Sequence, residues 1–328
     1  MYIGLCMKFL HLKSHDPYLN LAIEEYLFKK TSDNIFILWQ NEPWIVVGKN
    51  QNAYAEINLQ HIREKNIKIV RRITGGGAVY HDLGNVNYTF ISSERADIDF
   101  AYFTRPIISA LDALGVKVNL SGRNDLETTD GRKISGNAQR AEGGRVLHHG
   151  TLLFNSDMGV LSSALKVDRE KLMAKSVRSV QARVANISEY LEKDITVDEF
   201  ISFVTEHIVS LYNPEFIEAP DNDEINALCH RNASDEWLYP GRDFLSRYNI
   251  IRKKRYDIGT VECSIALKNN IISDIKISGD FFEAGNVAEL EEKLKGESIF
   301  LLDQNGLCVS DYIYGMTSFE FINLILDK

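Results

Sequence analysis

The sequence has little cysteine and no long apolar run, and each shortage excludes a class of protein. Its 328 residues include four cysteines, none of them in a CxxC pair, so neither a zinc site nor a disulfide framework is indicated. No apolar run reaches the roughly 18 residues of a membrane-spanning helix, and the first residues lack the pattern of a secretory signal. These absences favour a cytoplasmic protein that does not act in a membrane.

The chain also lacks a net positive charge, with 37 Lys and Arg residues against 46 Asp and Glu. The net charge is -9, and cations form only local clusters such as Arg252–Arg255, so the broad cationic surface of a nucleic-acid-binding protein is missing. Hydrophobic residues make up 45% of the chain, which is enough for a full core. The length predicts two domains. We place them at residues 1–246 and 247–328, because prolines and short polar residues accumulate just before this boundary.

Hydrophobic periodicity predicts a mixed α+β fold. Asp16-Pro17 is typical of a helix start, and this helix is predicted to run to about Lys30. Strands are predicted at residues 35–39, 44–47, 67–70, 78–81, 86–91 and 145–154, and further helices at 56–66, 100–114 and 198–212. In the C-terminal part, a hairpin of residues 256–267 and 271–277 precedes helices at 287–294 and 318–326. This part is predicted to be a small α+β unit.

Residues 75–77 are three consecutive glycines, preceded by Arg71, Arg72 and the hydroxyl of Thr74. Three glycines alone are more often a flexible turn than a ligand site. Here the arginines and the flanking strands favour an anion site, because backbone N–H groups and a guanidinium can together bind a phosphate or a carboxylate. The segment matches neither GxxxxGK[ST] nor GxGxxG, so the usual nucleotide-binding folds are not supported.

A second segment, residues 131–138 (GRKISGNA), contains Lys133. An ordinary surface lysine is the alternative, but the setting indicates a strand edge at a cleft, where the ammonium could stabilise charge on a phosphoryl or carbonyl oxygen. Asp125 is a turn cap or, near a nucleotide, a magnesium ligand. His148 and His149 are neighbours on a predicted strand, so they point to opposite faces and cannot share one metal ion.

These motifs, in this order, resemble those of the lipoate–protein ligase A family. The resemblance covers the whole length and includes RRxTGGGAVYHDxGN at 71–85, GRNDL at 122–126, GRKISGNA at 131–138, HHGTLL at 148–153 and the segment Asp280-Phe281-Phe282. It implies a large domain with the mixed sheet of biotin and lipoate ligases and class II synthetases, followed by a small α+β domain.

The resemblance also implies a reaction. ATP activates lipoate or octanoate to an acyl-AMP, and the acyl group passes to a lysine of an acceptor lipoyl domain, such as that of the glycine-cleavage H protein or of 2-oxoacid dehydrogenase acyltransferase subunits. Lys133 is then catalytic, and Asp125 lies near magnesium. The implied ATP-binding residues are Arg72, Gly77, Ala78, Val79, Tyr80 and Lys133. The implied lipoate-binding residues are Arg72, Gly75, Gly76, His81, Lys133 and His149.

The chain departs from the family pattern at two positions. Asn87 stands where some relatives carry another small residue, which predicts a different pocket wall. Ser176 stands where a glycine is common, in a cationic segment at residues 175–184 that is either a helix–loop junction or a flap closing over a negatively charged intermediate.

Two alternative functions differ in chemistry. An octanoyl or lipoyl transferase of the same fold forms a thioester on a cysteine just before the lysine motif, but no cysteine lies between residues 6 and 229. A non-catalytic protein that binds lipoyl-AMP would not need the carboxylate of Asp125 beside a metal. Both alternatives are therefore less favoured than a ligase.

Overall fold

The computed structural model describes residues 6–58, 62, 64, 67–94, 97–160, 183–240, 247–302 and 306–327. The strands are β1 (Met7–His11), β2 (Asn34–Trp39), β3 (Trp44–Val47), β4 (Lys68–Arg71), β5 (Val79–His81), β6 (Asn85–Ser92), β7 (Val118–Ser121), β8 (Asp125–Thr128), β9 (Lys133–Glu142), β10 (Arg145–Leu153), β11 (Glu215–Phe216), β12 (Ile250–Tyr256), β13 (Gly259–Lys268) and β14 (Ile271–Gly279). The helices are α1 (Pro17–Lys30), α2 (Ala53–Glu56), α3 (Phe100–Ala113), α4 (Val197–Tyr212), α5 (Asp223–Asn232), α6 (Asp235–Leu238), α7 (Val287–Leu294) and α8 (Ser318–Leu326), with 3₁₀ turns at Ile187–Tyr190 and Val309–Asp311.

A mixed sheet in the order β11-β1-β2-β6-β10-β9-β8-β7 organises the larger part of the chain. β1 pairs in parallel with β2 and β11, and the remaining neighbours are antiparallel. α1 covers one face, and α3 and α4 cover the other, so a separate apolar core lies on each side. Residues of β6 and β10 are buried almost throughout because both faces are covered. The mixed α+β fold is therefore as predicted.

Helix α1 begins where the sequence predicts it. The Asp16 carboxylate accepts a hydrogen bond from the backbone N–H of Tyr18 at 2.8 Å, and Pro17 occupies the first turn, where its missing N–H costs nothing. The helix is buried on most of its surface, including Asn20 and Glu24. These two residues lie four apart, on the same face of the helix, and both hydrogen-bond toward the sheet side of the molecule.

The three glycines lie in a loop between β4 and β5, which flank β3 in a second sheet. We call residues 72–78 the glycine loop. It crosses the end of β3, since Arg72 N donates to Val47 O at 3.1 Å and Lys49 N donates to Thr74 O at 2.8 Å. A Cβ atom at Gly48 would lie 2.0 Å from Gly76 O, so only glycine fits this crossing.

The C-terminal part has its own antiparallel sheet, β12-β13-β14, and its own core beneath α7 and α8. The turn between β13 and β14 contains Asn269 and Asn270 with φ values of 51° and 64°, the left-handed conformation that a two-residue hairpin turn requires. The hairpin was predicted to start at residue 256, but its first strand, β13, starts at Gly259. Tyr256 is instead the last residue of β12, a strand that was not predicted. Among the described residues, no helix combines the length and apolar character needed to span a membrane.

Candidate active site

One cavity brings the two glycine-containing motifs together. The predicted site residues that line it are Arg72, Gly76, Gly77, Ala78, Val79, His81, Lys133 and His149. Further lining residues come from α1, β2, β3, β6, β9, β10 and the turn before β8, and they are Leu21, Trp39, Val46, Asn87, Asn124, Gly136, Asn137, Ala138, Gly150 and Thr151. The cavity therefore opens between the glycine loop and the middle strands of the large sheet.

Three predicted site residues lie beside the cavity rather than in its wall. Val79 and His81 face it from β5, so the intervening Tyr80 packs on the other side, against the small core that contains Ile45. Burial raises the pKa of Tyr80 to about 12. Gly75 contacts the C-terminal part of the chain, and Asp125 touches the cavity through Lys133.

Arg72 holds the glycine loop from within. Its Nη2 donates to Gly75 O at 2.6 Å and to Gly77 O at 2.8 Å, and its Nε donates to Thr74 Oγ1 at 3.0 Å. Burial lowers the pKa of Arg72 to about 10, so the side chain stays charged at neutral pH. Arg72 thus fixes the shape of the loop in addition to lining the cavity.

A buried hydrogen-bond chain continues from Thr74 to helix α1. Thr74 Oγ1 lies 2.7 Å from His149 Nε2, and His149 Nδ1 lies 2.9 Å from Glu24 Oε1. The carboxylate of Glu24 accepts from His149 Nδ1, and Thr74 Oγ1, which already accepts from Arg72 Nε, pairs with Nε2 on the other side of the ring. We call this chain of four residues the inner network.

Glu24 is the member of the inner network that the sequence did not reveal. It is 1% exposed and accepts a second hydrogen bond, at 2.6 Å, from the hydroxyl of Thr89, which in turn accepts from Trp39 Nε1. A buried carboxylate with these partners fixes the orientation of the His149 ring. The available signal was an acidic residue inside the apolar run of α1, one turn after Asn20.

His81 is held neutral at the same end of the cavity. Asn20 Nδ2 donates to two backbone carbonyls and to Asn41 Oδ1, so the Asn41 amide nitrogen faces His81 Nδ1 at 3.0 Å and donates to it. The ring proton is therefore on Nε2. Burial, together with the charge of Arg72, lowers the pKa of His81 to about 3.

The two adjacent histidines of β10 face opposite sides of the sheet, as strand alternation predicts. His149 joins the inner network, whereas His148 stacks on Phe103 with ring centres 5.4 Å apart and accepts from Gln139 Nε2. Burial lowers the pKa of His148 well below its usual value. The described residues contain no group of three or more His, Cys, Asp or Glu side chains arranged for a metal ion.

The mouth of the cavity has a different character. Lys133 Nζ lies 2.8 Å from Asp125 Oδ1, with side chains 32% and 30% exposed, yet no donor among the described residues makes an aligned hydrogen bond to that oxygen. The backbone of Lys133 pairs with residues 183–185, since Lys133 N donates to Arg183 O at 2.7 Å. Of the cationic segment 175–184, residues 175–182 lie outside the described part of the chain.

The C-terminal part meets the glycine loop directly. Gly76 N donates to Phe281 O at 3.2 Å, and a Cβ at Gly75 would lie 2.2 Å from that same carbonyl oxygen. Phe282 is buried against Phe100, with ring centres 5.2 Å apart. Glycine at position 75 is therefore required for close contact between the two parts.

Glu283 adds a buried ionic contact to this junction. Its carboxylate is 6% exposed and lies 2.6 Å from Lys49 Nζ and 3.5 Å from Arg140 Nη1. Asn50 Nδ2 donates to Glu283 Oε1 at 3.1 Å. Lys49 and Asn50, which follow β3, and Arg140 on β9 therefore all contact the side-chain carboxylate of Glu283.

Comparison with protein families shows which family the chain belongs to. The family model for the lipoyl protein ligase A/B catalytic domain matches residues 16–209. The chain belongs to the lipoate–protein ligase family. A second model, for the bacterial lipoate protein ligase C-terminus, matches residues 246–325, and the resemblance inferred from the motifs is thereby confirmed.

Individual lipoate–protein ligases resemble the chain over most of its length. It is 41% identical over 325 residues to the lipoate-protein ligase LplJ of Bacillus subtilis (strain 168), covering 95% of this chain and 97% of the relative. P. falciparum LipL1, solved in complex with lipoate, superposes with a TM-score of 0.75 and 26% identity over 90% of each chain. A bi-partite ligase from Thermoplasma acidophilum, described with its E2 lipoyl domain, gives a TM-score of 0.63 and 26% identity, covering 72% of this chain and 97% of that one.

Proposed function

We propose that this lipoate–protein ligase activates lipoate with ATP and transfers the lipoyl group to a lysine of an acceptor protein. The observation that carries the proposal is that one cavity is lined by both the glycine loop and Lys133, whose ammonium pairs with Asp125. Backbone N–H groups and cations in such a cavity stabilise the charge that develops at a phosphorus centre. The lipoate bound to the P. falciparum relative supports the choice of acid.

In the first step, a carboxylate oxygen of lipoate attacks the α-phosphorus of ATP, and pyrophosphate leaves. Arg72 and the backbone of residues 77–80 bind the nucleotide. Lys133 stabilises the pentacoordinate phosphorus and then the acyl phosphate, and its partial exposure leaves the ammonium free to move there from Asp125. Lys133 is accordingly the catalytic residue.

In the second step, the amine of the acceptor lysine attacks the carbonyl carbon of the mixed anhydride. The bond from that carbon to the phosphate oxygen breaks, AMP leaves, and the nitrogen loses a proton to give the amide. The acyl chain lies against Gly75, Gly76, His81 and His149. Enclosure in the cavity protects lipoyl-AMP from water.

Asp125 is suited to hold magnesium when ATP is bound. Its Oδ1 lacks an aligned hydrogen-bond donor among the described residues, and magnesium takes one or two carboxylates together with phosphate oxygens and water. The ion would neutralise charge on the phosphates of ATP. Lys133 then exchanges its contact with Asp125 for one with the substrate.

The acceptors are lipoyl domains of the kind found in glycine-cleavage H protein and in 2-oxoacid dehydrogenase acyltransferase subunits. The E2 lipoyl domain described with the Thermoplasma relative supports this class. A thioester transferase is the less favoured alternative, because the described residues that line the cavity include no cysteine. Of the four thiols, Cys263 is buried in the C-terminal core.

We also propose a domain boundary near residue 247. The apolar core of the C-terminal part contains residues from 261 onward and is separate from the cores of the large sheet. The second family model begins at residue 246, which supports the same division. The catalytic domain is then residues 1–246, and the accessory domain is residues 247–328.

The deciding experiment is exchange of labelled pyrophosphate into ATP, with magnesium and without an acceptor. Exchange that depends on lipoate or octanoate is expected, since adenylation is reversible. Lipoyl transfer to an added lipoyl domain should then follow with release of AMP. Transfer from a thioester donor without any exchange would instead support the transferase.

A further inference from the structure

Asn87 has an unpaired polar atom in the wall of the cavity. It lies on β6 and is 2% exposed. Its Oδ1 accepts from Asn85 Nδ2 at 2.9 Å, but its own Nδ2 has no hydrogen-bond partner among the described residues. Buried polar groups almost always have a partner, so an unpaired donor on a residue of the cavity wall leaves a hydrogen bond that an acceptor on a bound ligand can complete.

The strand register places Asn87 away from the reactive end of the cavity. Asn87 is opposite Thr151 on β10, and Thr151 Oγ1 accepts from Gly136 N on β9 at 3.1 Å. Lys133 Nζ lies beside Gly136. Two strand spacings amount to about 10 Å, which is similar to the length of an extended eight-carbon acid. A carboxylate near Lys133 therefore brings the far end of the acid to Asn87.

The opposite side of Asn87 is closed by Trp39 on β2, its register partner. Trp39 Nε1 is already used, because it donates to Thr89 Oγ1 at 3.0 Å. The indole therefore offers the ligand an apolar surface, and Asn87 offers it an N–H group. This part of the cavity therefore suits a ligand group that is mostly apolar and contains a weak hydrogen-bond acceptor.

We propose that Asn87 Nδ2 donates a hydrogen bond to a dithiolane sulfur of lipoate and thereby selects lipoate over sulfur-free acids of similar length. The inference rests on the proposed function and deepens it. Sulfur in such a group is a weak acceptor, whereas the terminal methyl of octanoate leaves the buried donor unpaired. Selectivity therefore comes chiefly from the cost imposed on the sulfur-free acid, as in other sites with a buried polar group.

The sharpest test compares lipoate with 5-cyclopentylpentanoate, in which carbon replaces both sulfurs and the five-membered ring remains. Octanoate is the third ligand. Calorimetry measures the binding of each acid, and pyrophosphate exchange measures its activation. The wild-type protein should bind lipoate about tenfold more tightly than the cyclopentyl acid. In Asn87→Leu this ratio should approach one, mainly through better binding of the two sulfur-free acids.

Thr151→Val is the matched control. It removes a hydroxyl from the same row of the wall, but one that already contacts Gly136, so it should change the affinities for all three acids by a similar factor. Asn87→Ala is a second variant that removes the donor without adding bulk, and thermal unfolding shows which variants fold.

A wild-type ratio of one, or an unchanged ratio in a folded Asn87 variant, overturns the inference. Selective binding without exchange for any acid would contradict the proposed function and leave the inference standing. The two failures are therefore distinguishable.

Discussion

The two ends of the cavity are built in contrasting ways. The inner network is buried, with Glu24 1% exposed, and each of its polar atoms has a defined partner. At the mouth, Lys133 and Asp125 are about a third exposed and contact each other in an ion pair. A saturated buried network holds one geometry, whereas a partly exposed pair changes partners at little cost. The inner end is thus suited to recognition and the mouth to chemistry.

The strongest test of this contrast is Lys133→Ala. Removing a group that stabilises the charged transition state should slow pyrophosphate exchange by about 10²–10³-fold, while the unfolding temperature stays unchanged because the ion pair is partly exposed. Arg132→Ala is the control, since this neighbouring cation pairs with Asp130 and Glu189 away from the cavity. Comparable exchange in wild type and Lys133→Ala would rule out the catalytic assignment.

Glu24→Gln tests the inner end. It removes the charge that orients His149, and we expect roughly a tenfold rise in KM for lipoate with a smaller change in kcat. Glu25→Gln is a closely matched control, because Glu25 is equally buried but pairs with Lys29 and Arg231. That variant should lose stability without a change in KM. Equal KM values for both variants would show that Glu24 has only a structural role.

Gly136→Ala tests whether catalysis depends on the position of the Lys133 side chain. A Cβ at this position would lie 2.9 Å from Lys133 Nζ and 3.1 Å from its Cε, so the flexible lysine must move while the backbone does not. We expect exchange to slow by about tenfold and the unfolding temperature to stay near that of wild type. Gly131→Ala has no atom within 4 Å of the new Cβ but has a φ of 79°, so it should cost stability and leave exchange intact.

The smallest expected effect concerns pH. The pKa of His81 is lowered to about 3 and that of His148 also lies below the usual 6.5. Below pH 6.5 the unfolded chain binds protons that these buried rings exclude, so stability should fall as the pH decreases from 6.5 toward 3. Denaturant unfolding at pH 7.5 and 5.5 measures the loss. His81→Gln should reduce it, and the same loss in both proteins would contradict this origin.

The parts of the site that are contiguous in sequence could be predicted. The glycine loop and the Lys133 segment each contain their polar groups within a few residues, and strand alternation was enough to separate His148 from His149. Helices α1, α3 and α4 were predicted for the same reason, because their caps and apolar spacing are local.

The parts of the site that depend on contacts between segments distant in sequence could not be predicted. Glu24 reaches His149 only because α1 packs on β6 and β10, and the unpaired amide of Asn87 becomes visible only once its neighbours are known. Strand β12 was missed because an edge strand carries charged residues at successive positions, which hides the alternation of buried and exposed side chains.

The contact between Lys49 and Glu283 joins residues separated by 234 positions. A growing chain on the ribosome therefore completes this junction only after Glu283 has been synthesised. Until then the large sheet can fold, but the glycine loop lacks the carbonyl of Phe281 that contacts Gly76. The order of translation thus separates, in time, the formation of the large sheet from the arrival of the C-terminal segment that contacts the glycine loop.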